Sequence, residues 1–262
     1  MIKTMNITNF KAFKESGDFN FKKINVLVGP NSSGKSSFLK ALLMMQDTIK
    51  SNESEPAFKL TEEIGDYNSI IYGKNPKEKI GFKILFKDVK YQSFYLFEDK
   101  DIFSILIRSR LFPSLNSNKE KFDTDEFVFN AMNYNKEDII QSVSFFVKTS
   151  NKNVVVDRFE IKTSSNHYEI FKNKTAYYLN HNGETLDKPN LFKPYKFFFK
   201  FNKVKLDICT EPELRIVLDV QMAFKKIEYM INRFLGNMIH LEPFRSQPKR
   251  TEYVTNLNYI TL

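Results

Sequence analysis

The sequence has no tryptophan and a single cysteine, Cys209, among its 262 residues. One cysteine excludes an internal disulfide framework and is typical of proteins that work in a reducing compartment. No apolar run approaches the ~20 residues that span a bilayer, and the polar N-terminus lacks the apolar core of a secretory signal. We therefore expect a cytoplasmic protein with no membrane partner, in which Cys209 is a small buried residue rather than a nucleophile.

Histidine is also scarce, and the pattern of metal-binding residues is missing. The three histidines, His167, His181 and His240, are isolated from one another. None has a cysteine, histidine or aspartate at the spacing of a zinc site. The sequence therefore predicts neither a zinc centre nor a nuclease site.

What the chain has in quantity is phenylalanine and positive charge. It holds 27 Phe residues, and each ring buries a large apolar area, so we expect much of the core to be aromatic. A formal charge of +9 and a pI near 9.3 favour a polyanionic partner, with nucleic acid the first candidate. The alternative is that scattered lysines cover solvated faces, since no block of consecutive basic residues occurs.

The most specific motif is a phosphate-binding loop (P-loop) near the N-terminus. It follows an apolar strand candidate, Ile24–Val28, and leads into a helical pattern over Ser36–Ile49. Such a loop turns backbone N–H groups toward an anion at the start of a helix, where the partial charge is positive. Lys35 is placed to reach the β- and γ-phosphates, and the Ser36 hydroxyl to ligate Mg²⁺. We predict ATP and Mg²⁺ as ligands, bound by Gly29, Pro30, Asn31, Ser32, Ser33, Gly34, Lys35, Ser36 and Ser37.

The rest of the chain reads as strands followed by one long helix. Residues 80–86 alternate as a strand, and Tyr91–Phe97 is its expected hairpin partner. Asn182-Gly183 is a turn signal in the strand-rich middle. A capping box at Thr210 with Pro212 in the first turn starts a helix that Gly236 ends, and a short strand over Met238–Leu241 follows.

Three stretches together resemble an ABC-class ATPase head of the SMC, RecF and OLD-like branch, often called AAA-family ATPases. The first is Asn9–Phe13 followed by the P-loop. The second is Ile64–Tyr72, similar to a segment that precedes a strand in this branch. The third is Ile239–Arg250, similar to the branch's "YLGPLRxxPxR" stretch. The likeness is closest to OLD-like ATPases of bacterial anti-phage systems such as Septu, Gabija and some retrons.

This resemblance implies an α/β fold with an inserted α+β lobe: the N-terminal half of a P-loop ABC-type head. We expect a mixed sheet around the P-loop helix and a strand-rich middle region. The predicted divisions are a P-loop lobe over 1–100, an inserted region of unknown role over 101–208, and a long helix with a return strand to the ATPase core over 209–262.

Several elements of a complete head are missing from the sequence. An apolar strand ending in Asp-Glu (Walker B), a Ser/Gly-rich signature loop and a switch histidine are not found. Two runs resemble a Walker B motif but lack its glutamate. Ile216–Asp219 lies in the predicted helix, and Val154–Asp157 continues as a strand. We therefore predict a fragment, split subunit or truncated product that binds nucleotide weakly and hydrolyses it poorly alone.

A few further residues are candidates for contacts. Gln46 lies too close to Lys35 for a Mg²⁺-sensing glutamine, which favours helix packing. The interleaved lysines and phenylalanines of 193–205 imitate a nucleic-acid stacking platform, but a half-buried strand explains them as well. Possible nucleic-acid or partner contacts are Lys11, Lys14, Arg245, Lys249 and Arg250. For the last three, phosphate contact, subunit contact and plain surface are equal alternatives.

Two functions follow from the resemblance. The first is an ATPase that works by nucleotide-dependent dimerisation, with itself or a partner ATPase head, in anti-phage defence or DNA repair. It would act on DNA or on an effector protein such as a nuclease or toxin. The second is a non-hydrolysing, nucleotide-sensing scaffold that holds an effector or DNA. A small-molecule P-loop kinase is disfavoured because the loop lacks a Gly-x-Gly-Lys ending.

Overall fold

The computed structural model describes residues 1–52, 57–62, 64–91, 138–150, 153–202 and 209–239. The strands are β1 (Ile2–Phe10), β2 (Phe13–Glu15), β3 (Phe19–Asn20), β4 (Ile80–Tyr91), β5 (Asp138–Ser150), β6 (Asn153–Thr163), β7 (His167–Asn173), β8 (Ala176–His181), β9 (Glu184–Thr185), β10 (Phe192–Tyr195) and β11 (Phe198–Phe201). The helices are α1 (Lys35–Lys50), α2 (Tyr67–Ile70) and α3 (Glu211–Gly236), with a 3₁₀ turn at Tyr72–Lys74.

One continuous sheet organises the described residues. Its order is β2-β1-β4-β5-β6-β7-β8-β9, with β3 also paired to β1. Strands β10 and β11 form a separate hairpin. The α/β fold class is confirmed, with one difference: every pair of described strands is antiparallel, where a mixed sheet was expected.

An aromatic core fills the space between this sheet and the layer formed by α1, α3 and the β10–β11 hairpin. The Phe82, Phe145 and Phe197 rings stack in series, with centroids 5.2 Å apart at both steps. Phe159 contacts Phe224 of α3 at 4.9 Å. The expectation that much of the phenylalanine is core is confirmed, and burying such rings supplies most of the driving force for this packing.

Helix α1 is held at its C-terminal half by two long-range contacts. The Gln46 amide donates hydrogen bonds to the carbonyls of Leu235 and Met238, both at 2.6 Å. The Lys196 ammonium donates to the Ile49 carbonyl at 2.6 Å and the Ser51 carbonyl at 3.0 Å. These bonds satisfy carbonyls that a helix end leaves without partners. Gln46 is therefore a packing residue, as predicted.

Several other predicted elements are confirmed. The Thr210 N–H donates to the Glu213 carboxylate at 2.7 Å, which completes the capping box, and α3 ends at Gly236. Asn182 and Gly183, both with positive φ, form the turn between β8 and β9. Within the described residues, no helix is long and apolar enough to cross a membrane.

Two strand predictions outside the P-loop region were wrong. The neighbours of β4 are β1 and β5, not the Tyr91–Phe97 stretch, most of which lies outside the described residues. The half-buried strand suggested for the lysines and phenylalanines of 193–205 is not continuous, because a hairpin turn interrupts it at Lys196, whose φ is 55°. Three consecutive rings, Phe197, Phe198 and Phe199, are buried as a result, so they cannot serve as a stacking surface.

A buried carboxylate fastens the β6–β7 turn to the start of β5. Asp138 is 2% exposed and accepts hydrogen bonds from the Ile139 N–H and from the side chains of Thr163, Ser164, Ser165 and Asn166. Burial by itself would raise the pKa of Asp138. The hydrogen bonds from Ser164, Thr163 and Ser165 outweigh burial and hold the pKa well below the ordinary 3.8.

We predict that Asp138→Asn lowers the free energy of unfolding at pH 7 by about 2 kcal/mol, because buried donors lose their charged acceptor. Since folding depresses this pKa, the stabilisation is complete above the unfolded value and is lost as pH falls below it. The stability gap between wild type and variant should therefore narrow below about pH 4, measured by urea unfolding. Asp187→Asn, at an exposed position, is the control. A gap that does not change with pH would contradict the account.

Candidate functional site: a phosphate-binding loop at the start of α1

The P-loop connects residues 24–28 to the N-terminus of α1. The predicted strand over 24–28 was wrong for the described residues: no described strand pairs with it. Ile24, Val26 and Val28 are 82%, 76% and 84% exposed. Leu27 packs partly against the core. The loop itself is solvent-accessible over Gly29–Ser33, and Gly34 is buried.

Gly34 fixes where α1 begins. Its φ of 96° is in the left-handed region, and a Cβ at this position would lie 2.5 Å from an atom of the Phe13 ring. Both observations require glycine. The loop holds two more positive φ angles, 152° at Gly29 and 64° at Ser32. The loop backbone is therefore bent tightly and packed against Phe13 at the start of β2.

Lys35 folds back onto its own loop. Its ammonium donates to the carbonyls of Gly29 at 2.7 Å and Pro30 at 2.6 Å, and lies 3.4 Å from the Ser33 hydroxyl. All these partners are neutral oxygens. A phosphate oxygen would be a stronger acceptor for the same ammonium, since charge-assisted hydrogen bonds are about twice as strong as neutral ones.

The start of α1 is suited to an anion. The first helical bond runs from the Phe38 N–H to the Gly34 carbonyl, so the amides before it are not used inside the helix. Gly34 supplies no side-chain cap, and the first turn holds no acidic residue. The positive end of the helix dipole is thus uncompensated, while Lys50 and Lys196 offset the opposite end.

These residues fit a nucleoside triphosphate with its metal. The loop amides and Lys35 would hold the phosphates, and the exposed Ser36 hydroxyl would ligate Mg²⁺. The bound metal would neutralise phosphate charge. Asn31 and Ser37 flank this cradle at exposed and half-buried positions.

An aromatic stack supports the cradle from below. Phe19 lies between Phe13 and Phe38, with centroid separations of 5.9 Å and 3.8 Å. Phe21 continues the stack to Phe234 of α3 at 4.9 Å. Sequence reasoning missed this support. Only the density of phenylalanine between 10 and 38 could have suggested it.

A second segment, Ile64–Tyr72, packs against the end of β1 and the turn that follows it. The Lys11 ammonium donates to the Ile64 carbonyl at 2.8 Å, and the Lys11 backbone N–H donates to the Ile70 carbonyl at 2.5 Å. Phe10 and Ile71 form an isolated β-bridge. Burial, and to a lesser degree Lys40, lowers the pKa of Lys11. Two of the stretches that carry the sequence resemblance, Asn9–Phe13 and Ile64–Tyr72, are therefore in direct contact.

Among the residues that the structure describes, the other candidates lie outside the cradle. Asp157 is a strand residue, as predicted, and its carboxylate pairs with Lys79 and Lys148. Asp219 lies inside α3, also as predicted. Lys14 is exposed on β2, and its contact role stays a prediction together with that of Lys11. Arg245, Lys249 and Arg250 lie outside the described residues. Burial raises the pKa of the Cys209 thiol, which does not favour a nucleophile.

Comparison with known proteins agrees with this geometry. No curated protein matches the sequence. The family model described as an AAA ATPase domain matches residues 1–259, which is nearly the whole chain. A P-loop built on Gly34, Lys35 and the start of α1 is the phosphate-binding element such a domain requires. The chain belongs to the AAA ATPase domain family, whose members are nucleotide-binding ATPases.

Proposed function

We propose that this chain supplies the ATP–Mg²⁺-binding half of a composite SMC/OLD-like ATPase site, which acts through nucleotide-dependent dimerisation in anti-phage defence or DNA repair. The observation that carries the proposal is the ammonium of Lys35 resting on the carbonyls of Gly29 and Pro30 at an uncapped helix start. A lysine ammonium and the unused amides of a helix start are groups by which a P-loop holds phosphate.

The choice of the SMC/OLD-like branch rests on more than the P-loop. Asn9–Phe13 and Ile64–Tyr72 resemble segments of that branch and meet through Lys11 and the Phe10–Ile71 bridge. The partners proposed for the site are a second ATPase head, DNA and an effector protein. Lys11, Lys14, Arg245, Lys249 and Arg250 are proposed as contacts to them.

A non-hydrolysing scaffold is the second candidate, and one observation favours it. Water attack on a γ-phosphate needs a carboxylate beside the phosphates. The two Walker B look-alikes place Asp157 against two lysines and Asp219 inside α3. In the described part of the chain, neither Asp157 nor Asp219 is offered to the P-loop. We therefore expect the chain on its own to bind nucleotide without turning it over.

Lys35→Ala should weaken ATP–Mg²⁺ binding by roughly ten- to a hundredfold, because a lost charge-assisted contact costs about 1.5–3 kcal/mol. Isothermal titration calorimetry measures the dissociation constant of each variant. Lys50→Ala is the matched control: a lysine in the same helix, exposed in its last turn. Equal affinities for the two variants would contradict the assignment of the loop.

The isolated chain should bind ATP without measurable turnover, since neither Walker B look-alike, both within the described residues, offers a carboxylate to the P-loop to activate water. A phosphate-release assay over several hours tests this, with the Lys35→Ala variant as the blank. Turnover that depends on Lys35 would reject the half-site proposal and favour a complete enzyme.

The Gln46→Met variant distinguishes a packing role of this glutamine from a role in sensing Mg²⁺. Loss of its two hydrogen bonds should lower the free energy of unfolding by about 1–3 kcal/mol. The ratio of ATP affinities with and without Mg²⁺ should stay at the wild-type value, because the amide is used by Leu235 and Met238. A variant of normal stability that no longer responds to Mg²⁺ would reverse the assignment.

A further inference from the structure

The described part of the chain contains an open cavity at the end of the sheet that lies away from the P-loop. The cavity has a volume of about 500 Å³ and lies between the beginnings of β1 and β5 and the later half of β4. Lys3, near the start of β1, lines it, whereas Phe10, at the end of β1, leads into the turn before Phe13 and its contact with Gly34. The rise of about 3.3 Å per strand residue puts Lys3 roughly 23 Å from Phe10. The cavity is therefore separate from the nucleotide site.

The cavity exists because β4 and β5 lose their register beside it. Leu85 pairs with Ser142, but the next paired residue of β4 is Val89, opposite Ile140. Three residues of β4 therefore face one residue of β5, which opens the sheet at this point. Asp88, inside this irregular stretch, has a left-handed φ of 51°. A left-handed backbone costs free energy at a residue other than glycine, and such conformations are concentrated at functional sites.

The bottom of the cavity is apolar. Phe86 and Ile140 are buried, Leu85 is half-buried, and Ile139 is 36% exposed. Apolar side chains that are only partly covered gain free energy when a ligand removes the rest of their surface from water. Small-molecule sites have volumes of about 300–1,000 Å³ and are lined mostly by such side chains. The cavity therefore suits the apolar body of a small molecule.

The mouth of the cavity carries positive charge. Lys3 and Lys87 line it from neighbouring strands, and both are exposed. Within the described ranges, neither ammonium has a hydrogen-bond or ion-pair partner. Gln141 adds an amide that can donate and accept hydrogen bonds, and Asp88 is the one carboxylate among the lining residues. Two lysines against one aspartate leave a single positive charge, which a ligand with a single negative charge would match.

We propose that this cavity binds a small organic monoanion, with its apolar body on Leu85, Phe86 and Ile139 and its carboxylate or sulfonate between Lys3 and Lys87. The apolar contacts supply most of the affinity, since exposed ion pairs contribute little. The two ammonium groups orient the ligand and select an anion over a neutral molecule of the same shape. Binding at this cavity does not require nucleotide at the P-loop.

Fluorescence titration with two matched dyes tests the site in the absence of nucleotide. Anilinonaphthalene sulfonate has an apolar body and one negative charge, and phenylnaphthylamine has the same rings without the sulfonate. We expect the wild-type chain to bind the sulfonate about three- to tenfold more tightly than the neutral dye. The double variant Lys3→Met, Lys87→Met should lose this preference and bind the neutral dye as the wild type does. Because both lysines are exposed, the fold should not change.

Three control variants locate the bound dye. The double variant Lys83→Met, Lys162→Met removes the same charge from exposed lysines that do not line the cavity, and should keep the wild-type preference. Ile139→Glu places a carboxylate on the bottom of the cavity and should weaken binding of both dyes about tenfold. Ile24→Glu makes the same change at a side chain that is 82% exposed before the P-loop, and should leave both affinities unchanged.

Four results would overturn the proposal. Failure of the wild-type chain to bind the sulfonate would reject the cavity as a site. Equal affinities of the wild type for the two dyes would show that the lysines do not select an anion. An equal loss in the two lysine double variants would show a general attraction by the basic surface. A loss with Ile24→Glu but not with Ile139→Glu would place the dye at residues 24–28.

Discussion

The contact between Gly34 and the Phe13 ring is the constraint on which the site depends. It holds the start of α1 against the first residue of β2 so closely that no side chain fits between them. The position of the helix start determines where its free amides and its positive dipole end lie. The stack of Phe13, Phe19 and Phe38 keeps that position fixed. A loop with the same sequence on a mobile helix would not be prepared for an anion.

The C-terminal end of α1 is also fixed by specific hydrogen bonds, from residues that are remote in sequence. Gln46 reaches the C-terminal carbonyls of α3, and Lys196 reaches those of α1 from a hairpin turn. Lys196 is 8% exposed. Burying an ammonium costs free energy unless it is bonded, and two carbonyls at a negative helix end provide the bonds. The P-loop helix thus connects the sheet, the hairpin and α3.

The sequence predicted those parts that depend on local chemistry. The start of the helix at the P-loop, the capping box at Thr210 and the Asn182-Gly183 turn each need particular residues at fixed spacing, and each is found as predicted. The predictions that failed depend on contacts between residues that are far apart in the sequence. Nothing near Ile80 in the sequence indicates that β4 pairs with β5 rather than with 91–97. The local sequence does not show that Lys196 is buried, because its partners, Ile49 and Ser51, lie far back along the chain.

The central claim is that Lys35 exchanges its loop carbonyls for phosphate oxygens at the start of α1. A crystal structure of the chain with a non-hydrolysable ATP analogue and Mg²⁺ tests it most directly. The account predicts phosphates in the Gly29–Ser37 loop, the Lys35 ammonium bonded to them rather than to the Gly29 and Pro30 carbonyls, and Ser36 on the metal. A nucleotide bound elsewhere, or a Lys35 still resting on those carbonyls beside bound phosphate, would contradict it.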